Sequence, residues 1–183
     1  MNVIETSQNV YNFWFKELKT EQWFKKDLEL DNKIAEKFKP TYEAAIKSEL
    51  FSWRDTPHGA LAEIIVLDQF SRNMFRGAPA SFASDTIALT LAQGAIRRRL
   101  DLELKAVEKS FLYMPFMHSE SLVIHEQAVK LFDQPGLENN LDFEIRHKKI
   151  IERFGRYPHR NEILGRTSTA EEIEFLKEPG SSF

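Results

Sequence analysis

Leu61-Ala62-Glu63-Ile64-Ile65-Val66-Leu67-Asp68-Gln69-Phe70-Ser71-Arg72-Asn73-Met74-Phe75 is the most apolar stretch of the chain. Leu61, Ala62, Ile64, Ile65, Val66, Leu67, Phe70 and Met74 leave no wide polar face. A helix that is apolar all round belongs in a protein core. Thr56-Pro57 supplies its start, with Thr as N-cap and Pro at the first helical position. Leu61, Ile65, Asp68 and Arg72 fall at i, i+4, i+7 and i+11, so a charge pair rides on an apolar stripe. An unpaired buried charge costs roughly 3–5 kcal/mol. The pair is therefore either an internal brace or the floor of a binding site.

Helical periodicity continues outward on both sides. Val10 to Leu18 reads as a short aromatic-rich helix, and Thr20 caps a turn before Trp23 and Phe24. Ile34, Phe38, Tyr42, Ala45 and Ile46 mark one stripe, with Pro40 inside it. A proline there removes a hydrogen bond and clashes with the preceding turn, which predicts a kink or a break. Gly77-Ala78-Pro79 ends the apolar helix, and Ser84-Asp85 opens the next, to about Arg99. Phe111 to Phe116 is an apolar segment holding Pro115. Ser119 starts a helix through Phe132, and Asp133-Gln134-Pro135-Gly136 is a turn. Leu141 to Phe154 follows, with Phe143, His147, Ile150 and Phe154 on one stripe. Thr169-Ala170-Glu171-Glu172 is a capping box. No segment alternates with period two. The expectation is an all-α fold of antiparallel helix pairs, one domain over residues 1–183, with a non-helical tail from about 178 to 183.

Composition narrows the chemistry. The absence of Cys excludes disulfides, thiolate metal sites and cysteine nucleophiles. A net charge of −3 gives no global attraction to nucleic acid or anionic lipid. The start, Met1-Asn2-Val3-Ile4-Glu5, has neither a basic region nor an apolar run, so no signal peptide is expected. No apolar run approaches the about 20 residues of a membrane span. A cytoplasmic location is the expectation, with no nucleic-acid or membrane partner and an open oligomeric state. There is no Walker loop, GxGxxG or GxSxG elbow, so no cofactor is expected. His118 and His125 stand at i, i+7, wider than the i, i+4 of HExxH, and no metal is expected.

Arg146 to Arg166 holds seven Lys/Arg against two acids. Such a patch on an acidic body either binds a local anion or forms a solvated, internally paired face. Within it, Phe154-Gly155-Arg156-Tyr157-Pro158-His159-Arg160-Asn161 combines a forced turn with ring and fork cations. Arginine suits bidentate recognition of carboxylate or phosphate. Arg160-Asn161 echoes Arg72-Asn73, each ahead of an apolar pair and a nearby Gly. His147, on the apolar stripe, reads as a core histidine or, less simply, a ligand contact. His118 precedes the Ser119 helix start and Glu120 lies in its first turn, which reads either as an ordinary favourable first-turn acid or as a pair for proton transfer or metal binding.

Three motifs, in order, carry a resemblance. They are Leu67-Asp68-Gln69-Phe70-Ser71-Arg72-Asn73-Met74-Phe75-Arg76-Gly77, Phe111-Leu112-Tyr113-Met114-Pro115 with His118-Ser119-Glu120, and Arg153-Phe154-Gly155-Arg156-Tyr157-Pro158-His159-Arg160-Asn161 with Leu164-Gly165-Arg166. Together with the ending Pro179-Gly180-Ser181-Ser182-Phe183, they resemble the bacterial domain-of-unknown-function family numbered 924. The resemblance implies a tetratricopeptide-like, right-handed helical array. It also implies a shared polar cluster of Asp68, Arg72, Asn73, Arg76, His118, Glu120, His147, Arg156, His159, Arg160 and Asn161. Ser71 and His125 depart from its pattern, standing where Pro and Gln are more usual.

Three functions follow as expectations. The first is a polar pocket for a small anionic molecule or peptide group. Arg72, Arg156 and Arg160 are its anion contacts, Asn73 and Asn161 orient the ligand, and Asp68 is the internal counter-ion. The second is hydrolysis of an ester or phosphoester, with His118 or His159 as general acid or base and Glu120 as orienter. The third is a protein-interaction scaffold in which the polar cluster is a brace and Gly180 to Phe183 docks in an apolar groove.

Overall fold

The computed structural model describes residues 3–182, and every regular element among them is helical. The elements are α1 (Ser7–Asn12), α2 (Leu28–Ile46), α3 (Pro57–Ile65), α4 (Ser71–Met74), α5 (Asp85–Arg97), α6 (Ala106–Met117), α7 (Leu122–Phe132), α8 (Glu138–Phe154) and α9 (Ala170–Phe175). Two wide π-helical turns interrupt the pattern. Phe13–Glu17 continues α1, and Val66–Phe70 joins α3 to α4.

The apolar stretch is the centre of the molecule, and residues 59–71 are all buried. Thr56 caps the start, its hydroxyl accepting from the Gly59 amide at 3.1 Å, and Pro57 occupies the first turn. Gly59 is demanded by space, since a Cβ there would lie 2.1 Å from the Trp53 carbonyl oxygen. Glu63 survives inside because Arg54 grips it with two bonds of 2.7 Å. Around this axis α3 packs on α1, α5 and α6, and the following π turn packs on α2 and α5. The phenylalanines fill the space between. Phe38 and Phe70 lie 4.5 Å apart, and Trp14 meets Phe111 edge-on at 5.5 Å. Burying each such side chain contributes roughly 1.5–3 kcal/mol. A smaller cluster of Ile150, Ile151, Tyr157 and Phe175 sits at the C-terminal end.

Several expectations shift. Pro40 does not break α2, which runs from Leu28 to Ile46. Buried Ile34, Phe38 and Tyr42 hold its two halves on one face, and that packing outweighs the lost hydrogen bond. The helix expected from Ser119 begins at Leu122 instead. Ser119 and Glu120 precede it, and the Glu120 carboxylate binds other chain segments rather than a first turn. Phe143 is about half exposed, so its stripe in α8 narrows to His147 and Ile150. The apolar segment Phe111 to Phe116, with Pro115, lies inside α6. The capping box at Thr169 and Glu172 forms as expected. Phe183, invoked for docking, lies outside the described residues. Among the described residues no helix is long and apolar enough to cross a membrane.

Candidate functional site

The wide turn Val66–Phe70 positions Asp68, which is fully buried. A π turn leaves backbone carbonyls without ordinary helical partners and recurs at functional sites. Here the Leu67 oxygen accepts from the hydroxyls of Ser71 (2.7 Å) and Ser84 (2.6 Å). The Asp68 oxygen accepts from Arg72 Nη1 (2.8 Å). Ser71 thus has a specific role in bonding the wide turn.

Asp68 faces the C-terminal end of α6. His118 Nδ1 lies 2.7 Å from Asp68 Oδ1, and Gln69 Nε2 donates to Oδ2 at 2.6 Å. Arg72 Nη1 stands 3.2 Å from the same Oδ1. Burial pushes the Asp68 carboxyl up, but Arg72 and then His118 outweigh it and hold it well below its ordinary value. Burial and the Arg72 charge push the His118 imidazole below its ordinary value, against the pull of Asp68. An ionised Asp68 accepts only, so His118 carries its proton on Nδ1. The Nε2 lone pair is then open to act as a base. His118 Nε2 makes no hydrogen bond among the described residues, and its side chain is 15% exposed.

His118 lines a cavity of about 310 Å³. Phe82, Leu89, Pro115 and Leu164 give it apolar walls, while Asp85, Glu120 and Arg160 give it charge. Asp85 opens α5 and draws two arginines together. Arg72 grips it with both Nη atoms (2.8 and 3.0 Å), and Arg160 Nη1 reaches it at 3.3 Å. Arg160 lies between the rings of Phe82 (4.6 Å) and Tyr157 (4.8 Å). Burial and Arg72 lower its pKa, but a guanidinium stays charged at any working pH.

The expected polar cluster divides into three. His118, Arg160 and Glu120 line the cavity, and Asp68 and Arg72 stand behind them, Asp68 bonded to His118 and Arg72 sharing Asp85 with Arg160. Asn73 and Arg76 turn the other way and bind Asp31 of α2. Arg76 does so through two bonds of 2.6 and 2.8 Å, and Asn73 through one of 2.8 Å. Arg156 is held by Glu172 at 2.7 and 2.8 Å, and Asn161 joins Glu172 to Arg166. These four residues are therefore not beside the cavity, because each is drawn to a carboxylate elsewhere. Glu120 accepts from both Nη atoms of Arg166 and from the Tyr157 amide, so the carboxylate that orients His118 is Asp68 and not Glu120. His147 is buried in α8, its Nδ1 2.7 Å from the Phe143 oxygen, and burial pushes its pKa to about 3. His159 is half-buried, and burial followed by the Arg160 charge pushes its pKa to about 4.

The basic stretch forms no single surface. Arg146 pairs with Asp142, Lys148 with Glu152, Arg153 with Glu171, Arg156 with Glu172 and Arg166 with Glu120. The sequence reading missed Asp85, Asp31 and Phe82. Asp85 carried only a helix-start signal, and nothing in the chain links it to Arg160, 75 residues away. Among the described residues no group of three or more His, Asp or Glu is placed to hold a metal ion.

No curated protein matches this chain. The solved structure of a protein of unknown function from Agrobacterium tumefaciens is 37% identical, with a TM-score of 0.90. That match covers 94% of this chain and 97% of the other. A family model described as bacterial protein of unknown function matches residues 10–180. The chain belongs to that family, DUF924.

Proposed function

We propose that the cavity is a small-molecule site in which His118, oriented by Asp68, transfers a proton to or from a bound substrate. The observation that carries this reading is the 2.7 Å contact between His118 Nδ1 and Asp68 Oδ1 at the cavity wall. A carboxylate behind an imidazole fixes the tautomer and stabilises the imidazolium that forms. Low His118 pKa keeps the ring neutral at pH 7, which is the state a general base needs. The apolar walls favour a substrate with a hydrocarbon portion. An ester or phosphoester is the plainest substrate class.

An anionic substrate group is a second element of the reading. Arg72 and Arg160 share one carboxylate, Asp85, and Arg160 lines the cavity. Bare anion binding has weaker support than proton transfer, because Asp68 and Asp85 already balance the two guanidinium groups. An anion gains most when His118 is protonated beside it.

A panel of p-nitrophenyl esters and phosphomonoesters tests the reading, after a thermal-shift screen of carboxylates and phosphates. Hydrolysis is expected to rise with pH through a His118 titration below 6.5 and to level off by neutrality. His118→Asn and Asp68→Asn should each lower it by 10²-fold or more, the order typical of acid–base groups. Unchanged turnover in His118→Asn would overturn the proposal.

A further inference from the structure

The four last carbonyls of an α-helix have no partner within the helix. At the last residue of α6, its C-cap and the residue after it, three consecutive carbonyls each receive a side-chain donor. Tyr157 donates its hydroxyl to the Met117 oxygen at 2.5 Å. Arg160 Nη2 donates to the His118 oxygen at 3.0 Å. His125 Nε2, on α7, lies 2.8 Å from the Ser119 oxygen. A carbonyl only accepts, so this His125 nitrogen carries a hydrogen. The same nitrogen stands 3.1 Å from the Tyr157 oxygen, which joins two of the three donors. Behind them Glu144 holds His125 Nδ1 at 2.6 Å. Tyr157, His125 and Glu144 are all at most 1% exposed. Helix C-termini are finished by backbone bonds, side chains or water, and this one carries a side-chain donor on each carbonyl across the position that presents the candidate base.

We infer that Tyr157 and His125 are positioning residues for His118: their bonds to the carbonyls on either side of it hold the backbone where its imidazole meets Asp68. The inference rests on the acid–base reading of the cavity for its functional meaning. Its physical content, a fixed His118 tautomer, stands apart from any activity. Arg160 takes the central carbonyl, so the ring, its own carbonyl and both neighbouring carbonyls are all restrained. A loosened end of α6 would let the ring leave Asp68 and adopt the Nε2–H form that imidazoles prefer in water. That form has no lone pair on Nε2 to offer to the cavity.

The test is nitrogen-15 NMR of the histidines in the full chain. In the unaltered protein His118 is expected as the Nδ1–H tautomer alone at pH 7. Tyr157→Phe keeps the ring and deletes only the donor to Met117. It should shift His118 toward a mixture containing the Nε2–H form. Tyr113→Phe is the matched control. It removes an equally buried hydroxyl, here carried by α6 itself and bonded to Asp101 at 2.7 Å, without touching the end of that helix. It should cost comparable stability and leave the His118 tautomer unchanged. His125 supplies an independent pair of variants. Gln places an amide donor near the site of the imidazole Nε2, so His125→Gln should preserve the tautomer and His125→Leu should disturb it. Equal His118 spectra in Tyr157→Phe and Tyr113→Phe, or in the Gln and Leu variants of His125, would overturn the inference. If the tautomer shifts as expected while no substrate in the panel depends on His118, the positioning stands and the acid–base proposal fails.

Discussion

Two histidine–carboxylate pairs of nearly equal length lie in this molecule. His118 meets Asp68 at 2.7 Å, and His125 meets Glu144 at 2.6 Å. Both carboxylates are fully buried. Burial raises the Glu144 pKa and is only partly opposed by His125, whereas Asp68 is driven down because Arg72 lies against it. One guanidinium thus separates a pair whose carboxylate is held ionised from one whose carboxylate burial shifts upward. The exposure differs as well. The His118 side chain is 15% exposed and the His125 side chain is sealed at 0%. Distance alone does not mark a chemical site. A stable neighbouring cation and an opening to a cavity make the difference.

The sharpest way to break this contrast is to remove the sealed carboxylate. Glu144→Ala should destabilise the fold by about 3–5 kcal/mol in urea unfolding, as expected for breaking a buried pair. Replacing both members, His125→Leu with Glu144→Leu, should recover most of that loss. A smaller effect comes from acid. His147 is buried and His159 half-buried, with pKa values of about 3 and 4, below the ordinary histidine value. Between those values and about 6.5 the unfolded chain binds more protons than the folded one, so stability is fully present above about 6.5 and falls as pH drops. The slope should reach at most about 1.4 kcal/mol per pH unit for each histidine. Urea midpoints that stay flat from pH 7 to 5 would contradict it.

Asp68→Ala should cost about 1–3 kcal/mol, since Arg72 retains Asp85. It should also lower the His118 pKa further, because Asp68 raises it more than Asp85 does. NMR titration reads that shift directly. The smallest effect belongs to His118→Asn, with a stability change within about 1 kcal/mol. A larger loss there would make His118 a second sealed pair in energetic terms.

Local rules in the sequence captured the helices well. Thr56-Pro57 and the Thr169 to Glu172 box specify their helix starts by backbone chemistry that needs no distant partner. The relation of Arg72 to Asp68 was visible as i, i+4 spacing on an apolar stripe. The site itself was legible only in part. Arg72 and Asn73 are neighbours in the chain, yet one reaches Asp85 and the other Asp31. No spacing rule separates them, because the carboxylates that attract them come from α5 and α2. Glu120 looked like a first-turn acid for the same reason, until Arg166 is seen to reach it across 46 residues. Tyr157 carried no local signal for Met117, 40 positions away.

The wide turn at Val66–Phe70 sets the angular phase of everything after it. An α-helix advances about 100° per residue, so the extra residue of a π turn rotates the downstream chain by about that much. Deleting one residue from this turn would restore a regular ladder of backbone bonds. It would also swing Arg72, Asn73 and Arg76 round the helix axis, away from Asp85 and Asp31. The most regular form of this helix would therefore be out of register with its own counter-ions. Length changes here should be tolerated far less well than changes of side chain.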